Sequence, residues 1–132
     1  MKHFKTFVFL TFSTFFLASC NKQKEDEKCL YFLKAPVTKV EGITTALVNQ
    51  EITLDVYFSC NNGCGQFGNF EESISGNTTT IVANAKYEGC ICTDILLSIK
   101  ATYKFKKAQS GTYQLKFLQR ENTYLTYTII VQ

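Results

Sequence analysis

The sequence predicts an all-β protein, a sandwich of two sheets built from about seven antiparallel strands. Three observations point there. Apolar residues recur at every second position in several separate runs, no helical period lies between those runs, and the chain is rich in Thr, Tyr, Phe, Ile and Val with one proline and no tryptophan. Alternation of this kind marks a strand with one buried face. The residue types suit a pleated, half-buried surface, and two packed sheets bury such faces without helices.

The first strand is expected at about Leu30–Val40, interrupted by Pro36. It reads as an edge strand, where a missing N–H costs little. In Ile52–Phe58 every even position is apolar. Phe70–Ser75 and Ile81–Tyr87 pair through a turn at Gly76-Asn77. From Ile95 to Phe105, the face of Ile95, Leu97, Ile99, Ala101, Tyr103 and Phe105 opposes Ser98, Lys100, Thr102 and Lys104. Tyr113-Leu115-Phe117 and Leu125-Tyr127-Ile129-Val131 complete the set. Leu54, Val56, Ile99 and Leu115 are expected in the core, with Tyr57 and Lys104 on opposite faces. Residues 29–132 are enough for one domain with one modest core.

Ahead of the domain, Lys2 and Lys5 precede Thr6–Leu17, an uncharged, Phe-rich run. A spanning helix needs about 20 apolar residues, so this shorter run reads as the hydrophobic part of an export signal. It ends Leu17-Ala18-Ser19-Cys20, which resembles the lipobox of bacterial lipoproteins. The resemblance implies that residues 1–19 are a cleaved signal peptide. Cys20 then carries a diacylglycerol on its thiol and an acyl group on its new amine, and its lipid is the link to the membrane. Lipid burial contributes ~0.8 kcal/mol per methylene, so one chain binds reversibly and two or more hold firmly. The following Asn21–Lys28 is polar throughout, a tether with nothing to bury. Within it, Gln23-Lys24-Glu25-Asp26-Glu27 is similar to the acidic signal that sends some Gram-negative lipoproteins to the outer face of the outer membrane. Outer-membrane anchoring with exposure at the cell surface is therefore expected.

The strand order and spacing over roughly residues 30–132 resemble an immunoglobulin-like (Ig-like) sandwich. Gly111-Thr112-Tyr113 is similar to the family's tyrosine corner, with Gln109 where Asp is usual. Leu115 and a position near Val56 stand where the family places its inter-sheet disulfide, so that bridge and the core Trp are absent. Such a fold carries little functional information by itself.

Five cysteines remain beyond Cys20: Cys29, Cys60, Cys64, Cys90 and Cys92. If successive strands alternate direction, all five converge on one pole of the sandwich, the pole nearest the tether. An oxidising compartment and a small core favour disulfides. Cys60 and Cys64 are expected to pair with Cys90 and Cys92 in either crossed connectivity. Cys29 is then the odd one, able to displace one member. A thiolate site for Zn²⁺ or Cu(I), or redox chemistry at Cys90-Ile91-Cys92, uses the same residues.

Little else offers chemistry. The only histidine, His3, leaves with the signal, and the +3 charge of the full chain falls towards neutrality as Lys2 and Lys5 go with it. No Ser–His pair can be built, and a strongly basic nucleic-acid surface is excluded. Glu71 and Glu72 point to opposite strand faces. Lys100, Lys104, Lys106, Lys107, Lys116 and Arg120 read as a solvent face, with an anionic polysaccharide or lipid headgroup as the functional alternative. Asn77-Thr78-Thr79 meets the glycosylation pattern but is sufficient as a turn. No metal or other cofactor is expected. The leading expectation is a non-enzymatic, lipid-anchored module for surface recognition of a protein or glycan, or an accessory of an envelope assembly. A thiol-redox or metal-handling protein is the alternative, and an inhibitor presenting its cysteine loops to a hydrolase is a third class.

Overall fold

The computed structural model describes residues 29–132. The segments read as signal peptide (1–19) and tether (20–28), with the lipidation site Cys20, lie outside the described residues. Within them the chain is all-β, with nine strands in two sheets of six and three. The smaller sheet has β4 (Ile52–Cys60) at its centre, flanked antiparallel by β2 (Val37–Gly42) and β7 (Leu97–Phe105). The larger contains β1 (Leu30–Ala35), β3 (Thr45–Ala46), β5 (Gly65–Ser75), β6 (Thr78–Glu88), β8 (Gly111–Arg120) and β9 (Thr123–Val131).

Period-2 alternation does what the sequence implied. Ile52, Leu54, Val56, Phe58 and Cys60 form one unbroken inward stripe on β4. Opposite it lie Ile81, Ala83, Ala85 and Tyr87 of β6, Leu115 and Phe117 of β8, and Ile129 of β9. Leu115 and Val56 are both buried, so apolar packing occupies the positions where an Ig-like domain carries its inter-sheet bridge. A row of rings runs from Phe58 in the core past Phe67 and Phe70 at its rim and back to Tyr103 and Phe117, with centroids 4.7–6.0 Å apart. Such separations suit tilted and edge-on aromatic pairs. Ile99 is only half-buried, packed against the rim of this core.

Several expectations need correction. The first strand is interrupted at Pro36 as expected, but its two halves are separate strands in different sheets. It divides there, β1 joining the large sheet and β2 the small one, because a residue without an N–H and with fixed φ cannot continue a ladder. The Pro36 carbonyl instead accepts a hydrogen bond from Ser59 N at 3.1 Å. The strands are not all antiparallel: β6–β8 and β3–β9 are parallel. The two-residue β3 is too short to show a period in the sequence, yet it covers the edge of β9. Ile95, expected on the inward face of β7, precedes that strand and is exposed. The tyrosine corner is present, with Tyr113 Oη donating to the Gln109 carbonyl at 2.9 Å.

The alternation makes a stability prediction. Leu54→Ala removes a fully buried side chain at the sandwich centre and should cost about 2–5 kcal/mol. Lys104→Ala loses only an exposed ion pair to Glu51 and should cost less than about 1 kcal/mol. Urea denaturation of the two variants checks the difference, and equal losses would mean the register is wrong.

Candidate functional site

The cysteine pole is organised by the end of β6. β5 pairs along one edge of that strand, and β1 along the C-terminal half of the other. Leu30 lies opposite Glu88, and Gly65 opposite Tyr87. Both flanking strands therefore begin beside the point where β6 ends, and each is preceded by a cysteine. The β1–β6 ladder extends one step further, Gly89 N donating to Cys29 O at 2.9 Å. From there the chain turns through Cys90-Ile91-Cys92 and meets both cysteines. Cys29 bonds Cys90 with Cα atoms 5.0 Å apart, and Cys64 bonds Cys92 with Cα atoms 5.5 Å apart, within the ordinary disulfide range.

The pole is thus where strand parity placed it, but one partner differs. Cys60, expected in a bridge, is a free, buried thiol, and Cys29 takes its place at Cys90. The reason lies in β4: Cys60 is the last even position of the inward stripe, so its side chain faces the core and not the loop. That signal was available, since the apolar period of Ile52–Phe58 continues onto position 60. Cys64–Cys92 is one of the bridges foreseen.

Two glycines make room for this arrangement. A Cβ on Gly65 would lie 2.3 Å from Cys60 Cβ and 2.7 Å from its Sγ. Gly89 has φ +139° and a Cβ there would come within 2.9 Å of Cys64 Sγ. Side-chain residues rarely adopt that backbone region. Around them the 61–64 loop is tied down by Asn61 N donating to Tyr87 Oη at 2.9 Å, Gly63 N to Thr93 O at 2.8 Å, and Cys64 N to Asn62 Oδ1 at 3.0 Å. Tyr87 in turn stacks on Tyr31, centroids 4.9 Å apart.

The chemistry open to the pole follows. Cys64, Cys90 and Cys92 are oxidised, so the four sulfurs weighed as metal ligands do not exist as thiolates together. Among the described residues no group of three or more His, Cys, Asp or Glu side chains is placed to hold a metal. Burial pushes the Cys60 thiol up, opposed in part by its contact with the Tyr87 hydroxyl. A buried thiol kept protonated is a poor nucleophile.

The other residues singled out disperse. Glu71 accepts from Asn84 Nδ2 at 2.8 Å, while Glu72 lies beside Tyr103, whose hydroxyl pKa is pushed far up by burial and further by that carboxylate. Lys100 pairs with Asp55 at 3.1 Å and Lys104 with Glu51 at 3.2 Å, both on the small sheet, whereas Lys107 lies over the Phe105 and Tyr113 rings. Lys116 and Arg120 belong to β8 in the other sheet, so the basic stretch is not one patch. Asn77 Nδ2 donates to Thr112 O at 3.2 Å, tying the β5–β6 turn to β8.

A feature the sequence did not reveal is an open notch of about 600 Å³ on the edge of β6, between the end of β1 and the β8–β9 turn. It arises because β1 and β8 share that edge but pair with different stretches of it, 83–88 and 78–81. Val82 forms its floor, with Lys34, Arg120, Glu121 and Tyr124 around it. Only the register of a non-local parallel pairing creates it.

The disulfide pattern predicts that non-reducing peptide maps will join Cys29 to Cys90 and Cys64 to Cys92. Cys60 should resist alkylation in the native protein and react once denatured. In the chain-entropy model, loops closed over 61 and 28 residues are stabilised by about 4 kcal/mol each, so Cys29→Ser should lower the denaturation midpoint markedly. A map joining Cys60 to Cys90 or Cys92 would contradict the assignment.

In comparisons with known proteins, no curated protein and no solved structure matches the chain. A family model does: the ORF11 beta-sandwich domain, over residues 54–131. That span runs from β4 to the end of β9 and takes in both sheets. Covering more than half the chain, the match identifies this protein as a member of the ORF11 beta-sandwich domain family.

Proposed function

We propose that the chain is a lipid-anchored envelope lipoprotein whose β-sandwich works by recognition and not by catalysis. The observation that carries this reading is the lipobox-like Leu17-Ala18-Ser19-Cys20 at the end of the uncharged Thr6–Leu17 run. Two disulfides at the pole next to the tether support it independently, because such bonds persist in oxidising compartments outside the cytosol. Cys29 closes the tether and is itself bridged, so the domain begins as a rigid body at its first residue.

Recognition is assigned to surface and not to buried chemistry. The notch over Val82 offers Lys34 and Arg120 as cations, Tyr124 as a half-exposed ring, and Glu121 and Asn122 as polar partners. That mixture of a ring face and directional polar groups suits a protein or glycan ligand. The carboxylates Glu25, Asp26 and Glu27 of the tether favour the outer face of the outer membrane as the site of display.

Membrane attachment should depend on one sulfur. Cys20→Ala is expected to move the protein from membrane to soluble fractions, and mass spectrometry of the native N-terminal peptide should show acylated Cys20. Unchanged membrane association of the variant, or an unmodified Cys20, would sink the anchor. For orientation, protease added to intact cells should degrade the native protein, while Ala at Glu25, Asp26 and Glu27 together should protect it. Equal susceptibility of the two forms would leave those residues as a plain tether.

A further inference from the structure

The loop between β6 and β7 exposes its apolar residues. Ile91 is 97% exposed, Leu96 79% and Ile95 43%; beside the same pole, Leu30 and Phe32 of β1 are 48% and 54% exposed. Ile91 stands between two bridged cysteines, so the staples hold it outward and prevent its folding back onto the core. Exposed large apolar side chains at a loop tip, fixed rather than mobile, mark a surface that something covers.

The position of the pole indicates what covers it. Cys29, from which residues 20–28 run back to Cys20, is bonded to Cys90, the neighbour of Ile91. That segment spans at most about 30 Å when extended. A lipid on Cys20 therefore keeps this pole within reach of the bilayer. The opposite pole, with Ile74 and the β5–β6 turn, lies about 35 Å further along β6. The charges next to the loop are few: Lys86 is paired with Glu88 at 2.7 Å, and Asp94 is exposed. Asp94 limits penetration to headgroup depth, while Ile91 and Leu96 reach the acyl boundary, as interfacial apolar residues do.

We infer that the disulfide-stapled pole is a membrane-contact surface, with Ile91 and Leu96 entering the lipid interface next to the tether. This rests on the lipid anchor proposed above. It adds that the domain stands on the bilayer by a fixed end, with the notch over Val82 about midway along β6, where a tether alone would leave orientation free.

The chain has no tryptophan, so a single introduced one reports its own surroundings. Ile91→Trp alters a side chain with almost no packing, and Ile74→Trp, 61% exposed at the far pole, is the control. Each protein, purified as the cell processes it, is reconstituted into vesicles of phosphatidylethanolamine and phosphatidylglycerol with brominated acyl chains. Peptide mapping verifies that both disulfides are retained. The expected result is blue-shifted emission and bromine quenching for Ile91→Trp and neither for Ile74→Trp. Mass spectrometry of Cys20 on the same samples separates the two claims. Acylated Cys20 with an unquenched Ile91→Trp reporter would overturn the contact surface and leave the anchor standing. Equal quenching at both positions would overturn the assignment to this pole. A blue shift that grows with protein concentration without vesicles would assign the surface to a second copy and overturn the lipid contact. An unacylated Cys20 would overturn both claims.

Discussion

Strand β6 is hydrogen-bonded along both edges, and the arrangement of the large sheet depends on it. β5 occupies one edge for its whole length, while β1 and β8 divide the other. A strand with neighbours on each side satisfies its own backbone groups and sets the register of three others. Here it also sets where their ends fall. Because β1 and β5 both begin beside the end of β6, a cysteine ahead of each strand meets a cysteine in the turn beyond it, and the two bridges lie on either side of one short turn. The notch follows from the same division, since β1 and β8 leave a gap over Val82 where one partner stops and the other starts.

The two sheets differ in width, and this explains why covalent staples sit where they do. Three strands cannot cover six. On β1, Tyr31 opposes buried Tyr87 and Leu33 opposes buried Ala85, yet both are at least 40% exposed because no small-sheet strand lies over them. Of this strand only Ala35, next to the crossing at Pro36, is buried. Apolar burial, which holds β4 and β8 in place, contributes little to β1. The Cys29–Cys90 bridge supplies through the unfolded state what burial does not supply in the folded one. Elements with few buried contacts open first, so reduction should act on the β1 flank before the β4–β7 sheet.

The parts of this architecture legible in sequence were those set by side-chain period. β4, β7, β8 and β9 each show their buried face in alternate residues, and the turn at Gly76-Asn77 announces the β5–β6 hairpin. The tyrosine corner was legible for a related reason: Gly111-Thr112-Tyr113 is a local motif with a local hydrogen bond. What escaped depends on pairings between distant segments. The beginning of β5 at Gly65 is hidden because Gly68 and a bulge between Phe67 and Asn69 break its alternation. The parallel register of β6 with β8, and so the notch, leaves no mark in either strand. Cys60 lies between these cases. Its place on the inward stripe is readable in the period of Ile52–Phe58, while its nearness in sequence to Cys64 points to the loop instead.

That precedence of face over proximity has a chemical consequence. Wherever disulfides can form, six cysteines have many wrong pairings open to them, and the native set must be favoured as the chain folds. Burying Cys60 in the β4 stripe removes one competitor, since its sulfur packs against Gly65 and Tyr87 rather than the loop. Acylation of Cys20 would remove a second. Cys29, Cys64, Cys90 and Cys92 are left, and β6 pairing decides among them, because Cys29 arrives on the β1 edge and Cys64 on the β5 edge. The intervening Ile91 separates Cys90 from Cys92 so that each meets one edge. The Cys-x-Cys spacing is thus accounted for by a turn bridged to a strand on either side, and the residue between the cysteines, with both neighbours bonded, is left facing outward.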